Sequence, residues 1–496
     1  MSRLNNGDKR PNFLIIMSDE HGAQYSRTYG HPFIETPNMD RLAQNGTTFD
    51  SAYCNAPLCV PSRISFMTGQ FNSRCEGWDN AVPMRADAVT WPHLLRSAGY
   101  DAVLAGKMHL VGLDNLHGFR AQLSRDIHSE MSHPIYPWEK GLPAASSPWA
   151  GVVGTGTGVP GHEGPALRAP EELKQRRPMP TGPGRTIEID IDDATEHAAV
   201  DYLRNVGSTG EPFALCVGFI APHFPFVVPD EYFNRYFPKH ADLPNIPPGH
   251  LESLPAAAQR LRTAFGFSGH TENQVARARA AYYGLVTYLD DKIGTLLNVL
   301  DEMGLSENTV VIHASDHGEL LGEHGLWRKM SFYEQAARVP LQIRWPAAGR
   351  LGQRFAKNVS LVDVTATILD LAGVTGDVDG ASLREILAGD AAEWKDEAFS
   401  EHNAHGTNHP RAMIKKGKWK LCATHADPLE IELYDLESDP GEFTTLASDR
   451  ANEDVLSALL GRLHELWNGE RIEEKVIASQ RCRMLIQSAV PELQLF

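Results

Sequence analysis

Phe13-Leu14-Ile15-Ile16-Met17-Ser18-Asp19-Glu20-His21-Gly22 is the stretch from which the chain can be read. Its apolar half is unbroken, the pattern of a strand buried on both faces at the centre of a parallel sheet. Its polar half begins where such a strand should end. Ligands in open α/β sheets gather beyond the carboxyl ends of strands, so Asp19 and Glu20 are candidate ligands or catalytic groups, although a strand-ending Asp is also a common turn residue. The same arrangement recurs far along the chain: Thr309-Val310-Val311-Ile312-His313-Ala314 runs into Ser315-Asp316-His317-Gly318-Glu319. Two buried strands ending in the same chemistry are much less expected by chance than one.

Working outward, Thr48–Tyr53, Tyr100–Ala105, Phe213–Ile220 and Val339–Trp345 also read as strands. Thr90–Ala98, Ala194–Val206, Glu272–Met303 and Val362–Ala372 read as helices between them. In the longest helix Leu285, Leu289, Ile293, Leu296, Leu297 and Leu300 repeat at helical spacing, and Asp290 and Asp291 read as solvated or helix-pairing groups. This alternation predicts an α/β fold: a large mixed, mostly parallel sheet sandwiched by helices, over residues 1–395. Shorter strands at Ala412–Ile414, Trp419–Cys422 and Leu433–Leu436, then a closing helix Ala451–Trp467, predict a smaller C-terminal α+β subdomain over 396–478. The partly apolar tail 479–496 is expected to dock on the core or on a partner chain, so a homo-oligomer, dimer or tetramer, is expected. Residues 128–190 are rich in Pro, Gly and Ser and suit a lid or pocket wall, with Tyr136, Trp138 and Trp149 as aromatic walls or as pins to the core.

Composition narrows the function. The 496 residues carry a formal net charge of −17, which argues against nucleic-acid and anionic-membrane partners. An anionic substrate must then be drawn by a local basic site. Six unpatterned cysteines suit a reducing compartment, the polar N-terminus is not a signal sequence, and no stretch nears the roughly 20 apolar residues of a membrane span, so a cytoplasmic protein is expected.

The candidate chemistry sits at four further places. Cys59-Val60-Pro61-Ser62-Arg63 follows the strand Thr48–Tyr53, and Pro61 belongs in the first turn of a helix continued by Ile64, Phe66 and Met67. Cys59 would lie at the helix N-terminus, where the dipole and Arg63 are expected to lower its thiol pKa. A half-buried free cysteine beside a helix cap is the alternative. Gly106-Lys107-Met108-His109 follows another strand; Lys107 and His109 point the same way if the chain stays extended, or are a solvated Lys and a packed His. His223 is braced by Pro222 and Pro225, and Lys329 lies in Trp327-Arg328-Lys329-Met330. Asp19, Asp316 and His317 with an oxygen-bearing neighbour form a hard-cation set suited to Ca²⁺, Mn²⁺ or Mg²⁺, to which Glu20 could add a carboxylate. Arg63, Lys107 and Lys329 are candidate anion clamps, and His109 and His223 candidate proton carriers. Together they describe metal-assisted hydrolysis of an anionic ester.

Cys59-x-Pro61-Ser62-Arg63 with Thr68-Gly69 resembles the sulfatase pattern around a cysteine converted to formylglycine. Ser315-Asp316-His317-Gly318, Gly106-Lys107-Met108-His109, Pro222-His223 and Lys329-x-x-x-Tyr333-Glu334 resemble the rest of that family's site, in the same order, from about Asn12 to Leu446. Gly106–Gly112, Leu116–Phe119 and Gly325–Met330 are most similar to choline sulfatases. The resemblance implies an alkaline-phosphatase-like fold and a sulfate monoester hydrolase, acting on a small aryl or alkyl (choline-type) sulfate ester. Phosphonate monoester or phosphodiester hydrolysis at the same site is the alternative. It implies that a hydrate of the aldehyde made from Cys59 attacks sulfur and that the sulfated hemiacetal then collapses. Asp19, Glu20, Asp316, His317 and an oxygen at position 59 would hold one divalent metal, Ca²⁺ before Mn²⁺ or Mg²⁺. His109 would take the hydrate proton in the collapse, His223 and Lys329 would assist the leaving group, Lys107 and Asn80 would contact the sulfate, and Arg63 would steady the hydrate. A formylglycine-generating enzyme is the implied maturation partner. Glu20 stands where many members carry Asp, Asn or Gln, and Glu401–Gly406 does not supply an evident cage for a quaternary ammonium.

Overall fold

The computed structural model describes residues 10–129, 135, 138, 181–206, 211–240, 242–390 and 393–489. Its strands in chain order are β1 (Asn12–Asp19), β2 (Thr47–Tyr53), β3 (Asp101–Gly106), β4 (Thr181–Pro183), β5 (Phe213–Pro222), β6 (Phe226–Val228), β7 (Thr309–Ser315), β8 (Arg338–Val339), β9 (Leu341–Arg344) and β10 (Gln353–Ser360). The central sheet has the order β10-β2-β9-β7-β1-β5-β3, with β8 paired to β2, while β4 and β6 form a separate pair. β1 runs parallel to β7 and β5, β3 parallel to β5, and β10 parallel to β2. β9 is antiparallel to both β7 and β2, so the sheet is mixed and mostly parallel. The single strand expected over Val339–Trp345 is two short ones, because Pro340 between them has no N–H to give the ladder.

All eight residues of β1 are buried. Phe13, Ile15 and Met17 enter one core and Leu14 and Ile16 the other, as alternation along a strand requires. Each of these side chains contributes roughly 1.5–3 kcal/mol of burial. On the first face lie helices α1 (Cys59–Thr68) and, beyond the gap after β3, parts of the C-terminal region. On the other lie α2 (Ile187–Val206) and α3 (Glu272–Glu302), the latter started by a Thr271/Gln274 capping box. The expected leucine stripe of α3 is buried there, but Asp290 is not solvated. It is fully buried and accepts the backbone N–H groups of Asn38 and Met39, capping the short helix Pro37–Gln44. Helix α4 (Leu361–Leu371) packs on α1.

A four-stranded antiparallel sheet follows: β11 (Glu397–His402), β12 (Arg411–Lys416), β13 (Trp419–Thr424) and β14 (Glu430–Asp435). Two helices close the described chain, α5 (Glu453–Leu466) and α6 (Gly469–Ala489). Helix α6 returns to the first face of the large sheet, where the Arg483 guanidinium donates to both carboxylate oxygens of Asp79 at 2.7 and 2.8 Å. Most of the Pro-rich 128–190 stretch, Tyr136 and Trp149 included, and residues 490–496 lie outside the described residues. Trp138 is pinned: it is buried, and its indole N–H donates to the Thr407 carbonyl at 2.8 Å.

Candidate active site

Register brings the two acidic strand ends together. Ser18 of β1 pairs with Ser315 of β7, so Asp19 and Asp316, each one residue on, lie side by side, and Asp316 N–H donates to the Ser18 carbonyl. On the other flank Asp19 is in register with Pro222 of β5, which delivers His223 next to the same point. Lys107 leaves β3 beside β5: its N–H donates to Gly218 O, and a Cβ on Gly218 would lie 1.8 Å from the Lys107 carbonyl, so only glycine lets these strands close. Helix α1 begins at Cys59, after an extended Leu58 N-cap, and every one of its residues is buried. Five separate segments, four strand ends and one helix start, thus aim at one buried centre.

Cys59 Sγ lies 3.1 Å from His317 Nε2, 3.2 Å from Lys329 Nζ and 3.8 Å from Asp19 Oδ1. Arg63, one turn on, is fully buried. Its Nε donates to Asp316 at 2.7 Å, one terminal nitrogen to Asp19 at 3.2 Å, and the other to the Lys107 carbonyl at 2.8 Å. Lys107 Nζ is 2.5 Å from Asp19 Oδ2, and Lys329 Nζ 3.2 Å from Glu20 Oε2. Lys107 is therefore buried and not solvated, and with φ +56° at His109 the chain does not stay extended through that residue. His223 Nε2 reaches Glu20 at 3.2 Å and Asp19 at 3.9 Å. Asn80 accepts the Val60 N–H at 3.1 Å, beside the first turn of α1.

Burial and pairing set the protonation states. Burial alone would raise Asp19, but Lys107, His223, Arg63 and Lys329 hold its carboxyl well below the usual range. Glu20 goes the other way: burial, helped by Glu319 and opposed by Lys329, pushes it well above the ordinary carboxyl value. His317 is lowered by burial, and His223 well below the usual imidazole value by burial and then Lys329. The expected low thiol pKa of Cys59 is not found. Burial, then the Asp19 charge, pushes it up to about 12, and these outweigh Lys329 and Lys107. The fold buries the sulfur and gathers carboxylates around it, and these outweigh the helix terminus.

The ligand atoms of Asp19, Cys59, Asp316 and His317 lie within 4.8 Å of one another, all buried; Asp19, Glu20 and His223 form a second such group. Carboxylates and one imidazole in this spacing fit a hard divalent cation, and Glu20 Oε1 is a buried oxygen without a hydrogen-bond partner. Glu20 nonetheless faces Lys329 and His223 and lies outside the four-residue group.

Three further residues were not found from the sequence. Asp192 of α2 is buried and accepts the Ile220 and Ala221 N–H groups at 2.7 and 2.8 Å, anchoring the strand that carries His223. His128 stands between His109 and His223, with ring centroids 5.2 and 5.6 Å away. Asp126 binds the backbone of both the His109 and His128 turns. No motif marks any of them; the link is purely spatial.

Residues 11–374 match the sulfatase family and 322–469 the N-sulphoglucosamine sulphohydrolase C-terminal family. The chain belongs to the sulfatase family. It is a sulfuric ester hydrolase of the alkaline phosphatase superfamily, with the α/β fold expected from its strand pattern. It is 32% identical to the choline-sulfatase of Rhizobium meliloti, over 97% of this chain and 91% of that protein. It is 29% identical to an arylsulfatase of Clostridium perfringens, over 91% and 93%. Among solved structures it is similar to the phosphonate monoester hydrolase of Agrobacterium radiobacter, with TM-score 0.70, 25% identity and coverage of 92% and 95%.

Proposed function

We propose that this sulfatase hydrolyses small aryl or alkyl sulfate monoesters, choline-type esters among them, at a formylglycine made from Cys59. The observation that carries the reading is the crowding of Cys59 Sγ by Asp19, His317 and Lys329 within 3.8 Å at a buried helix start. A thiol pushed up to about 12 is a poor nucleophile at neutral pH, whereas an aldehyde hydrate at that position supplies an oxygen nucleophile in the same place. Asp19, Asp316, His317 and, by a turn of its side chain, Glu20 would hold one divalent cation, Ca²⁺ first, which supplies Lewis-acid polarisation of the sulfate.

The chain's own residues do the rest. Lys107 and Lys329 hold the sulfate oxygens and neutralise charge as it develops, at roughly 3–4 kcal/mol per contact. Asn80 adds a neutral contact. The Lys329 ammonium supplies the proton to the leaving oxygen, His223, kept neutral by burial, assists by orienting that oxygen, and His109 takes the proton that lets the centre reset. Arg63 ties Asp19, Asp316 and the Lys107 backbone into one frame beneath position 59. Uncatalysed sulfate ester hydrolysis is slow enough that well over about 10 kcal/mol of barrier must be removed, and these contacts together reach that order.

The finer setting follows the same reading. The chain is a cytoplasmic protein matured by a formylglycine-generating enzyme, which its free cysteines support; none of the described helices is long and apolar enough to cross a membrane. It forms a dimer or tetramer, supported by the exposure of Leu485 (69%) and Ile486 on α6. Residues 1–395, 396–478 and 479–496 act as catalytic domain, subdomain and docking tail. Two measurements test the core of the proposal. The mass of the peptide holding Cys59 should fall by about 18 Da, the thiol-to-aldehyde change, and an unchanged cysteine in active enzyme refutes it. The kcat/KM for an aryl sulfate should exceed that for an aryl phosphonate; the reverse would favour the activity named for the Agrobacterium relative.

A further inference from the structure

His109 is held in a conformation that a residue with a Cβ rarely adopts, φ +56°. The source of that hold is Asp126, 17 residues on and 3% exposed. Its Oδ2 accepts the N–H groups of Met108 at 2.9 Å and His109 at 2.6 Å, together with the Ser129 hydroxyl at 2.7 Å. Its Oδ1 accepts the N–H groups of His128 at 3.0 Å and Ser129 at 3.4 Å. One carboxylate therefore gathers donors from two turns that carry histidines, and the His128 ring lies between those of His109 and His223, tilted by 52° to the first and edge-on at 76° to the second. Consecutive N–H groups converging on one anionic oxygen make a concave nest suited to an anion.

We propose that Asp126 is a positioning residue for the sulfatase reaction: it fixes the Lys107-Met108-His109 turn, and so the imidazole that resets the centre after each sulfate transfer. The proposal rests on the role assigned to His109 above. Asp126 does not touch the substrate; it acts through the backbone of residue 109.

Removing the anchor should slow the step that His109 serves and leave the earlier steps. Asp126→Ala is then expected to lower kcat about 100-fold, the usual scale for losing a proton carrier. KM should fall with it, so that kcat/KM changes less than about threefold, and one leaving group per site should appear as a burst. Asp126→Asn keeps one acceptor oxygen for the Met108 and His109 N–H groups and should recover most of kcat. Simple structural damage would instead lower kcat at unchanged KM with no burst, which refutes the proposal. His109→Ala is the control: if it shows no burst, the role given to His109 is wrong, whereas a burst there but not in Asp126→Ala sinks the positioning role alone. A second readout needs no turnover. In Cys59→Ala protein with ¹³C-labelled histidines, Asp126→Ala should shift the ring signals of His109 and His128, assigned by deletion, and leave that of His313 in place. Unmoved His109 and His128 signals would overturn the proposal.

Discussion

The raised thiol of Cys59 can be tested on protein in which Cys59 is kept as the unmodified thiol. With a pKa of about 12, the thiolate fraction at pH 7.5 is on the order of 10⁻⁴·⁵, against about 10⁻¹ for an ordinary cysteine. Ionisation alone would make alkylation some 3,000-fold slower. A more basic thiolate is also more nucleophilic, with a Brønsted slope near 0.45, which returns about 1.5 of those 3.5 decades. The net expectation is labelling by iodoacetamide about 100-fold slower than at an ordinary thiol, before any restriction from burial; Cys482, the exposed cysteine, is the internal reference. The perturbation is Asp19→Asn. The Asp19 carboxylate lies 3.8 Å from the sulfur, a repulsion with the thiolate of about 4 kcal/mol at an effective dielectric of 20. Its loss should speed Cys59 labelling at least tenfold, by about three pKa units discounted for nucleophilicity. Peptide mass spectrometry over a time course separates the two cysteines. If wild-type Cys59 labels as fast as Cys482, or if Asp19→Asn slows it, the electrostatic account of the centre is wrong.

Two other outcomes follow from buried charge. Arg483 and Asp79 are each 5% exposed, so Arg483→Met should cost about 3–5 kcal/mol by leaving a buried carboxylate unpaired, and adding Asp79→Asn should restore most of it; a double-mutant cycle in urea reads both, and additivity would show the pair to be uncoupled. His21 and His313 are buried with pKa values lowered by burial to about 3 and about 4, below the unfolded value, so their contribution is full above pH 6.5 and is lost as pH falls. Each should cost about 2 kcal/mol between pH 7 and pH 5, and His313→Gln should flatten the pH dependence of the urea midpoint by that amount.

Those same buried groups mark how far the sequence could be read. The apolar runs of β1, β5 and β7 and their polar ends were legible, because a central parallel strand leaves a continuous hydrophobic signature and its carboxyl end is where ligands collect. Mixed segments hid their elements. Ile187-Glu188-Ile189-Asp190-Ile191 alternates like a strand, yet it begins α2, and Glu397–His402 lies outside the expected strands, yet it is β11. The positions of Cys59, Lys107, His223 and Lys329 could be named from their local motifs. Asp126, His128 and Asp192 could not, because nothing in their neighbourhoods along the chain says what they will touch. Polar identity was misleading wherever tertiary pairing decided burial: Lys107 and Asp290 are both fully enclosed.

Arg63 shows why pairing, more than charge count, governs this centre. From the sequence it was one of three cations that an anion could meet. In the fold its donors are taken by Asp316, Asp19 and the Lys107 carbonyl, so its charge offsets carboxylates that could not otherwise be buried together. The two lysines are paired as well, Lys107 with Asp19 and Lys329 with Glu20, but each through a single flexible ammonium and not a rigid fork. An ammonium can turn from a carboxylate oxygen to a sulfate oxygen without losing its charge or its other contacts, whereas the guanidinium cannot leave without breaking three bonds. In a chain of net charge −17, the attraction for an anion under the proposed function therefore falls to Lys107 and Lys329, while Arg63 holds the acidic strand ends Asp19 and Asp316 together.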